Sequence, residues 1–217
     1  NSNDRILNAI TTSVMHHEIA ESSRMLIQEH IPDAISKEEF TIENVTLLNF
    51  NYTNTADRYT GFFNSRTKVE VNHIHGTLEN LNNIIFGYGD EMDNHFQELV
   101  DLNENELLKN SKSIKYLETD SYKKLLRFME EGVFQVLLMG HSCGNSDRTL
   151  LNTIFEHKNC ISIKPFCYND KNGQDNYSEL TRNIYRNFKD KTLFRDRVVD
   201  KSLCYTLDGH KLYKHNE

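Results

Sequence analysis

Three short apolar runs, each stopping abruptly in polar residues, constrain this chain more than any other feature. Val45 to Leu48 run into Asn49-Phe50-Asn51-Tyr52-Thr53-Asn54-Thr55, Val69 to Ile74 end at His75-Gly76, and Phe134 to Met139 end at Gly140-His141-Ser142. Runs this short, rich in Val and Leu and bounded by turn formers, suit buried strands. Helix-like segments alternate with them after Val45, which predicts an α/β fold with a mainly parallel sheet. In open sheets of that kind ligands sit at the carboxyl ends of strands. Asn51, His75 and the pair His141-Ser142 are therefore expected around one pocket.

The chain in order adds detail. Residues 4–30 place Ile6, Leu7, Ile10, Val14, Ile19, Met25 and Leu26 near helical period, predicting an amphipathic helix or helix pair that ends at Ile31-Pro32. His16, His17 and Glu18 are adjacent, face different ways on a helix, and are expected to be solvated. Thr55 to Phe63 reads as a short helix capped by Asn54 or Thr53. One helix start needs one cap, so the surplus of amides and hydroxyls there points to a ligand. Lys68 to Gly76 alternates, which puts Val69, Val71, His73 and His75 on one strand face. Such an HxH pair can hold a transition metal, but without a clear third ligand hydrogen-bonded histidines at a sheet end are the preferred reading. Gly76 permits close backbone approach.

Ile84-Ile85-Phe86 reads as another short strand, and residues 91–132 as a helical insertion or lid that ends at Gly132. Phe134 to Met139, the most apolar run, is expected to be the central strand. The turn from Gly140 to Asp147 then leads into a helix through Leu150, Leu151 and Ile154. Free N–H groups and a helix dipole there suit phosphate or ribose, with Ser146 or Asp147 as an alternative helix cap. Cys160 to Phe166 is a further strand, followed by an amphipathic helix over Tyr177 to Phe188. Arg182, Arg186, Lys189, Lys191, Arg195, Arg197 and Lys201 fall on or after it and raise a nucleic-acid contact. Asp190, Asp196 and Asp200 dilute the run, and a solvated face is preferred.

Charge and length narrow the class. At 217 residues one domain is expected. The chain has 25 Lys plus Arg against 32 Asp plus Glu, a net charge of −7 that argues against a broad nucleic-acid surface. No apolar run reaches the roughly 18 residues of a membrane span, so a cytoplasmic protein without a membrane partner is expected. Cys143, Cys160, Cys167 and Cys204 lack CxxC spacing and read as reduced thiols.

Phe50-Asn51-Tyr52-Thr53-Asn54-Thr55, His73-Ile74-His75-Gly76 and Gly140-His141-Ser142 with Asp147 together resemble the AbiH family of bacteriophage abortive-infection proteins, in order and spacing from about Val45 onward. That family is in turn similar to sirtuin-like antiphage domains that cleave NAD. The resemblance implies a Rossmann-like sheet and a defence role through NAD depletion, with NAD as substrate or ligand and no metal. Asn51 then matches the asparagine that holds the nicotinamide ribose and the attacking water, and His75 the base at the ribose hydroxyl. Tyr52, Thr53, Asn54, Gly76, Gly140, His141, Ser142 and Asp147 are the implied nucleotide contacts. A phage-derived trigger, and a homo-oligomer or second defence subunit, are the implied partners.

Relatives of this kind open with a strand and a Gly-Asn-Gly or similar phosphate turn. None is present here, so an upstream N-terminal strand and glycine-rich turn are expected to be missing from the single domain. The paired CxxC zinc module of protein deacetylases is also missing, and deacetylation is not expected. Two other readings remain: a non-catalytic nucleotide-sensing module, and last a metal-dependent nuclease built on His73, His75, His141 and Asp90 or Asp147.

Overall fold

The structure, a computed structural model, describes residues 14–23, 27, 39–40, 42–63, 65–88, 91–210 and 212. Its strands are β1 (Val14–Met15), β2 (Glu39–Phe40), β3 (Asn44–Asn49), β4 (Lys68–His73), β5 (Phe134–Met139), β6 (Cys160–Cys167) and β7 (Tyr205–Thr206). Its α-helices are α1 (Asn94–Asp101), α2 (Asn105–Leu108), α3 (Lys112–Lys115), α4 (Ser121–Glu131), α5 (Arg148–Phe155), α6 (Tyr177–Arg186) and α7 (Lys191–Arg197). This is an α/β protein. Among the described residues β3 pairs with β4, and β5, β6 and β7 form a three-stranded sheet, all in parallel; the short β1–β2 pair is antiparallel. The mainly parallel pairing agrees with the sequence, although these strands fall into separate sheets. Parallel neighbours cannot be joined by a tight hairpin, and the β3–β4 connection accordingly carries a 3-10 helix, Ala56–Phe62.

The chain groups into two compact units, one of residues 43–131 and 144–153 and the other of the remainder. In the first, β3 runs in register with β4 from Asn44 opposite Lys68 to Asn49 opposite His73. α4 packs on β4, and Ile74, Ile85, Leu125, Met129, Leu150 and Leu151 are buried. α4 supplies Leu125 and Met129 one turn apart, as an amphipathic helix must.

In the second unit all eight residues of β6 are buried, with α6 and α7 packed on it. Ile163, Phe166, Ile184 and Phe188 form part of that core. β6, not the more apolar β5, is the middle strand of its sheet. Its polar residues are accommodated because each has a partner. Gln135 Nε2 donates to Ser162 Oγ at 2.5 Å and to Glu18 Oε2 at 3.3 Å. Lys164 forms an ion pair with Glu18 Oε1 and lies 4.8 Å from the centre of the Tyr205 ring. A buried charge is tolerated only when so compensated.

Other expectations change. Over residues 14–23 the 4–30 segment holds β1 and two 3-10 turns, His16–Glu18 and Glu21–Ser23, in place of an α-helix, while Ile27 is helical; the rest lies outside the described residues. Glu18 is buried, not solvated, because it pairs with Lys164. Ile84 to Phe86 is a loop, since Ile85 N–H bonds only the His75 carbonyl beyond the end of β4, at 2.9 Å. Arg197 does not join a basic face: it is buried, with Nη1 donating to the Phe155 and His157 carbonyls at 2.7 and 2.8 Å. Among the described residues no helix is long and apolar enough to cross a membrane.

Candidate functional site

The ends of β3 and β4 gather a network of polar side chains. Asn49, the last residue of β3, is buried; its Nδ2 donates to the Thr53 carbonyl at 2.8 Å and lies 3.0 Å from His73 Nδ1. Its Oδ1 accepts the Asn51 N–H at 3.0 Å. Because an amide nitrogen only donates, His73 Nδ1 is the acceptor and Nε2 carries the proton. That Nε2 faces Asp57 Oδ2 at 3.0 Å. An Asn–His–Asp chain thus holds the loop after β3 in place.

His75 belongs to a different set of contacts. It follows the end of β4 and is only 4 % exposed. Its Nδ1 is 3.2 Å from the Phe50 carbonyl, which can only accept, so Nδ1 bears a proton. Nε2 then has two neighbours, Asp147 Oδ1 at 3.1 Å and the Tyr116 hydroxyl at 3.3 Å. In the neutral ring Nε2 accepts from Tyr116; in the imidazolium it donates to Asp147. Asp147 is itself held by Lys112 Nζ at 2.7 Å and the Ser146 hydroxyl at 3.1 Å. Lys112 and Asp147 are both buried, so each charge offsets the other where water cannot.

Aromatic rings close the cluster. Phe50 meets His75 edge-on at 5.4 Å, and Tyr116 stacks between His75 at 6.3 Å and Tyr122 at 5.3 Å. Burial, and then the Asp147 charge, push the Tyr116 phenol well above the usual range. Tyr52, whose hydroxyl donates to the Ile85 carbonyl at 3.3 Å, is raised by the same two causes in the same order. Both phenols therefore stay protonated and able to donate. Gly76 adopts a φ of +78°, and a Cβ there would lie 2.1 Å from the Asn83 carbonyl oxygen, so the following loop crosses the strand end at backbone contact.

Of the residues singled out in the sequence, Tyr52, His75, Gly76 and Asp147 come together. Asn51 and Thr53 are exposed on the same loop. Asn54 keeps a buried Oδ1 without a hydrogen-bond partner. Neither Thr53 nor Asn54 caps the 3-10 helix, whose N-cap is Thr55; its hydroxyl makes no capping bond and lies 3.2 Å from the Thr53 hydroxyl. Gly140, His141 and Ser142 belong to the other unit. There Gly140 has a φ of +71°, His141 Nδ1 accepts the Cys143 N–H at 3.0 Å, and the Ser142 carbonyl accepts from Asn183 at 2.9 Å.

Nothing in the residue pattern marked Asn49, Asp57, Lys112 or Tyr116 as partners. His73 and His75, taken as one pair from their spacing, turn to different carboxylates because His75 has already left the strand. Asp90 lies outside the described residues. Among the described residues no three His, Cys, Asp or Glu side chains are placed to hold a metal ion.

Comparison with known proteins agrees with the motifs. No curated protein and no solved structure matches the chain. The family model of bacteriophage abortive infection AbiH matches residues 2–168, a span that takes in β3, β4, His75 and Asp147. The chain belongs to the AbiH family of bacteriophage abortive-infection proteins.

Proposed function

We propose that this abortive-infection protein acts by hydrolysing the nicotinamide glycosidic bond of NAD, with His75 as the base. The observation that carries the reading is the placement of His75 Nε2 between Asp147 Oδ1 and the Tyr116 hydroxyl, with Nδ1 fixed on a backbone carbonyl. A proton passed to Nε2 finds Asp147 Oδ1 as its acceptor, which is the geometry a base needs. In the reaction water adds to the ribose carbon, nicotinamide leaves with the bonding electrons, and the proton of the water or ribose hydroxyl passes to His75. Positive charge develops on the ribose in the transition state. Asn51, exposed on the adjoining loop, is assigned to the attacking water, since an amide both donates and accepts. The buried Asn54 Oδ1, which has no hydrogen-bond partner among the described residues, is assigned to a ribose hydroxyl.

The test is NAD consumption by the purified full-length protein, with and without phage lysate as activator. His75→Ala and Asn51→Ala are each expected to slow it by about 100-fold or more. If no condition consumes NAD while the protein still protects cells, the hydrolase reading falls. The same geometry favours one second reading, a nucleotide-sensing module without turnover: His75 is 4 % exposed and its contacts are already satisfied. NAD binding without loss of NAD selects that reading.

A further inference from the structure

Away from His75, the unit built on β3 and β4 contains a second polar site. Alternation along β4 puts Lys68, Glu70 and Asn72 on the face opposite His73. On α4, Lys124, Arg127 and Glu131 follow one another at helical spacing and form one stripe. These six side chains line a cavity of about 210 Å³. Five of them are exposed and charged; the sixth, Asn72, is only 4 % exposed. Its Nδ2 donates to the Ser121 carbonyl at 2.8 Å, which fixes the orientation of the amide. Its Oδ1 is buried without a hydrogen-bond partner. A buried acceptor in that state is rare in folded proteins and calls for a donor.

We infer that this cavity binds a small phosphorylated sugar. Lys68, Lys124 and Arg127 bring ammonium and guanidinium donors, the groups that recognise phosphate, Arg through a bidentate fork. Glu70 and Glu131 bring acceptors, which a phosphate alone would find repulsive and sugar hydroxyls would satisfy. Asn72 Oδ1 takes one more hydroxyl at the buried end. A neutral sugar leaves the cations unused, and a bare anion leaves the carboxylates facing like charge; a ligand with both groups uses all six side chains. Lys124 also contacts Asp120 Oδ2 at 3.1 Å in an exposed pair, a contact of little strength that phosphate can displace. The volume lies below the roughly 300–1,000 Å³ of pockets for drug-sized ligands, which favours a monosaccharide phosphate over a dinucleotide.

The experiment is calorimetric titration of the full-length chain with ribose 5-phosphate, with ribose and inorganic phosphate as separate arms. Ribose 5-phosphate is expected to bind at least about tenfold more tightly than either component, and Arg127→Ala and Glu70→Ala each to weaken it about tenfold or more. Both residues are exposed, and an unchanged melting temperature checks that the variants fold. Absence of binding at millimolar ligand overturns the proposal, as does binding that neither variant weakens. Inorganic phosphate that binds as tightly as ribose 5-phosphate overturns it too. Because the readout is binding at this cavity, its failure is separate from a failure to consume NAD.

Discussion

Among the described residues two lysine–carboxylate pairs are buried, one in each unit, and their surroundings differ. Lys164 and Glu18 meet against the middle of a buried strand, with Gln135 and the Tyr205 ring filling the remaining contacts. No histidine joins them in those contacts, and every partner fixes position. Lys112 and Asp147 meet beyond strand ends, and there a histidine with an undecided Nε2 shares the carboxylate. Burial is similar, with all four side chains at most 10 % exposed. Burial alone therefore does not distinguish the two pairs; the addition of a group that can change protonation does.

The comparison is broken most directly at the first pair. Lys164→Met leaves Glu18 buried without its cation and is expected to cost about 3–5 kcal/mol of stability in urea unfolding, most of it recovered when Glu18→Leu is added. A single variant as stable as the parent would show that this pair is not a clamp. A smaller effect lies in alkali. Burial pushes the Cys160 and Cys204 thiols up to about 12 and, with Asp175 adding to it, Cys167 up to about 11, from an ordinary 9.0. Between pH 9 and these values the unfolded chain loses thiol protons that the folded chain keeps, so stability should fall as pH rises through that window. The loss should shrink in a Cys160→Ala variant; a flat profile from pH 9 upward counts against a closed core around β6.

The smallest effect sharpens the second half of the comparison. Tyr116→Phe removes the hydroxyl that lies 3.3 Å from His75 Nε2 and is expected to cost about 0.5–1.5 kcal/mol. It should also move the His75 ring-nitrogen resonances, which Lys164→Met should leave in place. Unmoved resonances in Tyr116→Phe would remove the phenol from the cluster.

Much of the strand framework was legible because local pattern carries it: β3, β4, β5 and β6 coincide closely with short apolar runs bounded by turn formers. The order of those strands was not. β6 contains the polar Ser162 and Lys164, and its central place becomes clear only with Gln135 and Glu18 beside them. The candidate site divides the same way. His75 and Asp147 stand in recognisable turns. Lys112 and Tyr116 lie in an acidic, weakly periodic stretch, and their meaning depends on partners 35 and 41 positions away. Asn49 and Asn51 are equivalent by composition; only the backbone path shows that the first is inward and bonded while the second is outward.

β4 shows a further consequence of pleating. Its successive residues Asn72 and His73 serve opposite sides of one strand, and both depend on the same register with β3. A single-residue insertion ahead of Asn72 that keeps the start of β4 in register would exchange the two sides together, putting Val71 in the place of Asn72 and an amide opposite Asp57. Variation that reshapes one side without ruining the other is thus confined to substitutions, while changes of length must fall in the connecting segment between the strands. The two surfaces share one reading frame in space as well as in sequence.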